Sequence, residues 1–456
     1  MGPGGIGLIQ LFTTTIALIN SVFSLGLGFS GVRDISENIS SGDSDAVAKT
    51  IVTLKRWVWF SGLVGIIVTV IISKNLSQWA FGNEDHWVDI SLLSVTIIFT
   101  NLAASHVAII RGARRMVDFA KINILSAIAS IMVAVPLYYF LKDGGIIPVL
   151  IITSVIGLII SIVYSKKISY SKVKITFKES FFSGVSMVQL GIFTVITGFI
   201  TRLTLYYVYI SIGEKLGVDS VGYYAVASTL AISYMGLIFT AMGADYFPKL
   251  SAINKDDKAI NAAVLEQTKI ILLLGTPLII VMYTFSEYII QILYSDEFIA
   301  ALPLLMWMLL SVFLRLIGFP IGYVFLAKGK SKIYIFTQSL WNVAFLLLTY
   351  LSWQYKGDLE GVGIAYTIAY IIGVTVNVII IKRLTQFEYD KETLRYILIF
   401  SVITITYFYV SYSYNGWYIL SFKVIGGGLF ILYSFKQVER LIGVNLIAVL
   451  RDKLKI

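Results

Sequence analysis

From Ile146 the chain reads IIPVLIITSVIGLIISIVY, an unbroken apolar run with no charged residue. A helix of about 20 apolar residues matches the roughly 30 Å hydrocarbon core of a bilayer, and in lipid only helices and closed barrels satisfy their own backbone groups. Runs of this kind recur. They predict spanning helices near 5–30, 57–73, 88–110, 120–141, 145–164, 181–210, 220–244, 264–284, 301–327, 333–352, 361–381, 395–412 and 416–434. The prolines at 277, 303 and 320 fall inside such runs, where neighbouring groups can re-satisfy the freed carbonyls. The fold class expected is therefore an all-α polytopic membrane protein with about thirteen transmembrane helices. Hydrophobic residues are 57% of 456 and only 14% are charged, more apolar surface than a soluble core can hide.

The lysines and arginines orient these helices. Assigned to alternate connections and the adjoining span ends, 29 of the 36 fall on one side, among them Arg111, Arg114, Arg115, Lys166, Lys167, Lys328, Lys330, Lys382 and Arg383. The opposite connections hold Lys74, Lys142, Lys215 and Lys356, and Arg202, Arg315 and Lys423 lie inside spans. The positive-inside rule makes the rich side, with the C-terminus, cytoplasmic. The net charge of +10 thus describes membrane orientation, and no nucleic-acid partner is expected. Residues 441–456 mix an apolar stripe with late Lys and Arg, as an interfacial amphipathic helix does. An odd number of spans ending inside places Met1 outside, and MGPGGIG reads as the end of a connection between helices. The expectation is a missing first helix and a full design of fourteen.

The sequence also repeats. At an offset of 215, Gly7 falls on Gly222, Gly28 on Gly243 and Ser36 on Ser251; at 217, Gly112 falls on Gly329 and Phe119 on Phe336; at 216, Gly145 falls on Gly361 and Gly157 on Gly373. Equivalent positions lie six spans apart, so the two copies run parallel in the membrane, a recurrent transporter plan with the cargo path between halves. The organisation expected is an N-terminal lobe at 1–167, a C-terminal lobe at 168–383, two additional helices within 384–435 and a cytoplasmic tail at 436–456.

Chemistry-bearing residues are sparse. Cys is absent, and His86 and His106 are the only histidines, which leaves no set for zinc, haem or a Ser-His-Asp triad. No catalytic residue, metal site or cofactor is expected. A membrane glycosyltransferase or polymerase would need large loops with clustered catalytic groups, and the longest connection expected runs only from Gly31 to Arg56.

GPGGIGLIQ at the start, GLGFSGVRDISE after the first span, VGYYAVAS at the seventh and MGADYFPKLSAI at its cytoplasmic end give the chain a familiar look, supported by AFGNED, ILYSDEF and LAKGKSK. In their order and spacing these segments resemble the Wzx-type O-antigen and polysaccharide flippases of the multidrug/oligosaccharidyl-lipid/polysaccharide exporter superfamily. The resemblance implies two six-helix lobes and two further helices, and again a first helix ahead of GPGGIG. It implies alternating access that carries a polyprenyl-diphosphate-linked oligosaccharide from the inner to the outer leaflet of a bacterial cytoplasmic membrane. The partners implied are that anionic lipid-linked oligosaccharide, membrane lipids, and the polymerase and chain-length proteins of a polysaccharide pathway.

Such a cargo needs buried cations for the diphosphate and a hydrogen-bonding path for the glycan. Arg202 and Arg315 are candidate phosphate ligands, since an arginine near mid-membrane costs about 2.5–3.5 kcal/mol on insertion scales and its guanidinium grips phosphate bidentately. Lys423 is a third candidate, although a lysine near a helix end can snorkel to the interface. Asn20 and Gln189 are expected along the sugar path, while Asn101, Thr201, Gln338 and Asn342 serve equally well as interhelical hydrogen bonds, and His106, near the cytoplasmic end of its helix, is read as a packing or interfacial residue. Arg33 with Asp34, and Asp245 with Lys249, occupy matching cytoplasmic ends in the two copies and are candidates for a charge-pair gate. Two other readings use the same fold: a cation-coupled small-molecule or drug antiporter, which would need intramembrane carboxylates, and a peptidoglycan lipid-precursor flippase.

Overall fold

The computed structural model describes residues 1–442 apart from 169, 172 and 415. Among them every regular element is helical. Eleven stretches are long and apolar enough to cross a membrane. The thirteen segments read from the sequence fall on helix, the first of them with a break, but the number of crossings is not thereby fixed: Met116–Ser165 is one apolar stretch comprising two helices, and Phe177–Leu216 is not among the eleven. The protein is a multi-pass membrane protein. The tail expected as an amphipathic helix, from 443 onwards, lies outside the described residues.

Packing divides the chain into two compact units, Met1–Gly222 and Tyr223–Ile456. The first contains α1 (Pro3–Phe23), α2 (Leu27–Ser40), α3 (Ser44–Ile71), α4 (Ser73–Phe81), α5 (Trp87–Leu93), α6 (Val95–Gly112), α7 (Met116–Leu141), α8 (Ile146–Ser165) and α9 (Phe177–Leu216). The boundary falls within α10 (Val218–Ser228). The second unit continues through a π-helical turn, Thr229–Ser233, into α11 (Tyr234–Ala252), then α12 (Asp257–Leu293), α13 (Leu302–Ala327), α14 (Ser331–Tyr355), α15 (Leu359–Thr385), α16 (Lys391–Ser413) and α17 (Trp417–Ile442).

Helix starts are written in the sequence as caps. Asp43 accepts from the amides of Asp45 and Ala46, and Asp256, Asp358 and Asp390 cap α12, α15 and α16 in the same way. Thr176 and Glu179 form a reciprocal capping box at the head of α9. These caps begin their helices ahead of the apolar runs, most of all at α3, which starts at Ser44. The stretch from Gly31 to Arg56, expected as the longest connection, is helical except around Ser41–Asp43.

In the first unit α9 packs along α1, α2 and α3, and α6 packs against α2, α3 and α8. The expected first span is broken. After Phe23 the backbone turns through Leu25 (φ 49°) and Gly26 (φ 66°) before α2 resumes. At Gly26 a side chain is excluded twice, by this left-handed backbone and by α9, since an added Cβ would sit 2.5 Å from the Gly191 carbonyl oxygen. Arg56 ties α3 to the connection before α9, donating to the carbonyls of Ile175 and Thr176 and lying 5.1 Å from the Phe177 ring. Trp57 stacks on Phe181 at 4.7 Å.

In the second unit α13 is the central helix, packed by α11, α12, α15 and α16 and buried along most of its length. By contrast α7 of the first unit keeps large apolar side chains outside, including Ile131, Met132 and Val135, as a lipid-facing helix must. Glu360 gathers the Trp307 indole at 2.8 Å and the Tyr412 hydroxyl at 2.6 Å, joining α13, α15 and α16.

Candidate functional site

A cavity of about 330 Å³ opens within the first unit, walled by α1, the α1–α2 bend, α3, α6 and α9. Helical spacing selects its lining. Val195, Gly198 and Arg202 follow one another at i, i+3 and i+7 on α9, while Asn20 and Ser24 are four apart on the first helix and its exit. Thr100, Asn101 and Ala104 come from α6. Room is made by missing side chains: a Cβ at Gly198 would meet nothing within 4 Å, and one at Gly28 only Ala104, at 3.9 Å.

The lining mixes polar side chains (Asn20, Ser21, Ser24, Thr100, Asn101) with apolar ones, and among the described residues it holds a single cation, Arg202, and no acidic residue. Arg202 is exposed and makes no hydrogen bond or ion pair among the described residues. The hydroxyls of Ser21, Ser24 and Thr100 donate back to carbonyls of their own helix or turn, so they meet the cavity as acceptors. Asn20 Oδ1 and Asn101 Nδ2 are buried without a hydrogen-bond partner.

Two residues expected to touch cargo, Asn20 and Arg202, thus come together here, and Asn101, which the sequence left as readily to helix packing, joins them. Gln189 does not line the cavity. Arg202 lies thirteen residues further on, and at 100° per residue the two point roughly 140° apart on α9. Arg315 is on α13 in the second unit, partly buried, its guanidinium carbon 4.3 Å from the centre of the Phe239 ring and without an ion pair among the described residues. Lys423 is on α17, which packs against α12, and the carboxylate it faces is Glu287, a residue that the apolar run of α12 concealed.

The gate candidates are placed as follows. Arg33 is exposed and Asp34 partly buried on α2; burial raises the Asp34 carboxyl above the usual carboxylate range, Arg33 opposes the shift and Glu37 adds to it. Asp245 and Lys249 are exposed on α11, and Lys249 is paired with Glu266 of α12 at 2.8 Å. His106 bonds Ser165 at 2.6 Å, linking α6 to α8. No group of three or more metal-ligating side chains occurs among the described residues.

A family model described as polysaccharide biosynthesis protein matches residues 1–303, well over half of the chain. The chain belongs to the polysaccharide biosynthesis protein family. The membership agrees with the resemblance to polysaccharide flippases read from the sequence. The lipid III flippase of Escherichia coli K12 is 24% identical over 388 residues, which cover 81% of this chain and 88% of that protein. Among solved structures, an inward-facing multidrug resistance MATE family transporter of the MOP superfamily superposes with a TM-score of 0.70 at 14% identity, over 84% of this chain and 92% of the other. The lipid II flippase MurJ in an inward closed conformation gives 0.68 at 17%, over 95% and 98%. The fold of this family member is the one those transporters share.

Proposed function

We propose that this protein is a flippase that moves a polyprenyl-diphosphate-linked oligosaccharide, such as an O-antigen or other surface-polysaccharide repeat unit, from the inner to the outer leaflet by alternating access. The observation that carries the reading is Arg202: a cation without a partner among the described residues, in a cavity whose described lining has polar groups and no acidic residue. A diphosphate supplies the missing charge, and binding of a charged acceptor is worth roughly 1.5–3 kcal/mol per hydrogen bond. An antiporter coupled to protons or sodium needs a carboxylate in its cavity, and this cavity has none. The names of the similar proteins, flippases for lipid III and lipid II, agree with a lipid-linked cargo and leave its glycan open.

In this proposal the protein is not an enzyme and uses no cofactor. It lies in the bacterial inner membrane with its C-terminus in the cytoplasm, beside the polymerase and chain-length proteins that use its product. Its repeats at 1–167 and 168–383 form the two moving lobes, and Arg315 and Lys423 offer further cations to the diphosphate. Asp34 and Arg33 exchange partners with Asp245 and Lys249 as the cytoplasmic mouth opens and closes, Lys249 leaving Glu266 to do so.

The test is complementation. Expression in a flippase-deficient host with the matching glycan pathway restores surface polysaccharide, and Arg202→Ala lowers restoration at least tenfold, whereas Arg202→Lys keeps part of it. Failure of the unaltered protein to restore glycan in the matched host rejects the proposal. Wild-type behaviour of Arg202→Ala rejects the role of Arg202.

A further inference from the structure

Asn101 sits on α6, 5% exposed, with its amide Nδ2 unbonded, and Asn20 sits on α1 with its Oδ1 unbonded. Buried polar groups are nearly always hydrogen-bonded, because an unmet one forfeits its hydration for nothing. The other strongly polar buried residue of α6 obeys that rule: His106 holds Ser165 at 2.6 Å. Asn101 does not; other buried atoms without a bond lie elsewhere in the chain, and those of Asn101 and Asn20 are set apart by belonging to residues that line the cavity containing Arg202.

An unmet donor and an unmet acceptor together ask for a group that both accepts and donates, which a hydroxyl does and a phosphate oxygen or an isoprenoid does not. The cavity, about 330 Å³, is at the small end of ligand pockets and suits one sugar ring beside a diphosphate, not a whole oligosaccharide. Neither unbonded atom is open to solvent in this conformation, so each amide turns about its terminal torsion, whose profile is broad, to meet the ring. The repeat does not supply a second copy. At the offset of 217 Asn101 falls on Gly318, and the second unit carries Arg315 one turn earlier on the equivalent helix.

We infer that Asn101 and Asn20 form a subsite that reads a hydroxyl of the first, diphosphate-proximal sugar, beside the anion held by Arg202. This rests on the flippase reading and adds to it a selection step: the protein favours lipid diphosphates that already carry a sugar over the bare carrier lipid. Transport of empty carrier is thereby avoided.

The test is binding to the purified full-length protein in detergent, measured by native mass spectrometry. The probes are undecaprenyl diphosphate and the same lipid bearing N-acetylglucosamine or galactose. The wild type binds at least one sugar-bearing probe fivefold or more tighter than the bare lipid. Asn101→Leu removes that preference, weakening the sugar-bearing probes at least fivefold more than the bare lipid, and melts no lower than the wild type, because an unsatisfied amide has been replaced by an apolar group of similar size. Asn20→Leu gives the same pattern on an independent helix and serves where Asn101→Leu fails to fold. The subsite is overturned if the wild type does not distinguish bare from sugar-bearing lipid, or if the Asn variants weaken all probes alike; in both cases the flippase reading stands. Failure of the wild type to bind any of the lipid diphosphates removes the flippase reading and the subsite together.

Discussion

Gly7 and Gly222 are mates in the sequence repeat, and each is pressed against the backbone of the other's helix. A Cβ at Gly7 would lie 2.2 Å from the carbonyl oxygen of Val218, and a Cβ at Gly222 would lie 2.1 Å from that of Pro3. The acceptors are themselves mates, since positions 3 and 218 are separated by the same 215 as positions 7 and 222. The contact is therefore reciprocal, one surface used twice, and it admits no side chain.

Gly7→Ala and Gly222→Ala are each expected to destabilise the protein by about 1–3 kcal/mol, the usual range for overpacking. Both force the same two helices apart, so the double variant is expected to lose less than the sum. Thermal unfolding in detergent measures this. Additive losses would mean that the two contacts are independent.

Arg315→Met is expected to separate stability from transport. The guanidinium gains about 0.5–2 kcal/mol from the Phe239 ring and loses about 2.5–3.5 kcal/mol by its depth in the membrane. Methionine keeps the length and drops the charge, so the melting temperature is expected to hold or rise while glycan export falls at least tenfold. A lower melting temperature with export intact would make Arg315 a structural residue.

Asp34 gives a pH dependence. Its carboxyl is raised above 3.8 by burial, so the folded protein binds that proton more tightly than the unfolded chain does. The contribution of Asp34 to stability is greatest below the unfolded pKa and declines as pH rises through the folded one. Asp34→Asn is expected to be slightly more stable than the wild type at pH 7 and no better at pH 3.5, by melting temperature across the range. The opposite trend would show that Arg33 outweighs burial.

The helices were legible because lipid demands apolar length, and that demand is local to each run. Their ends were less so. The segment expected at 57–73 begins as a helix at Ser44, because Asp43 caps it and its polar extension packs on α2. The break at Leu25–Gly26 was not legible, since the close approach of Gly191 that bars a side chain at Gly26 comes from a helix remote in sequence. Asn20 and Arg202 stand out in the sequence because they are polar in apolar surroundings, and the structure places both in the cavity wall. Gln189 has the same quality but does not line that cavity. Asn101 stands out equally, but whether a buried amide is bonded depends on neighbours that one helix does not reveal.

The first copy interrupts its helix with a left-handed bend at 25–26, and the second inserts a π-helical turn at 229–233. Both copies nevertheless take 21 steps from their first marker glycine to the second, Gly7 to Gly28 and Gly222 to Gly243. A π turn consumes an additional residue without completing an additional turn, so it changes the rotational phase of everything after it. Between the two interruptions, aligned residues of the two repeat helices are therefore expected to differ in direction. On the flippase proposal, two helices of equal count that differ in phase can present unlike chemistry to an asymmetric cargo, with no trace of it in the alignment.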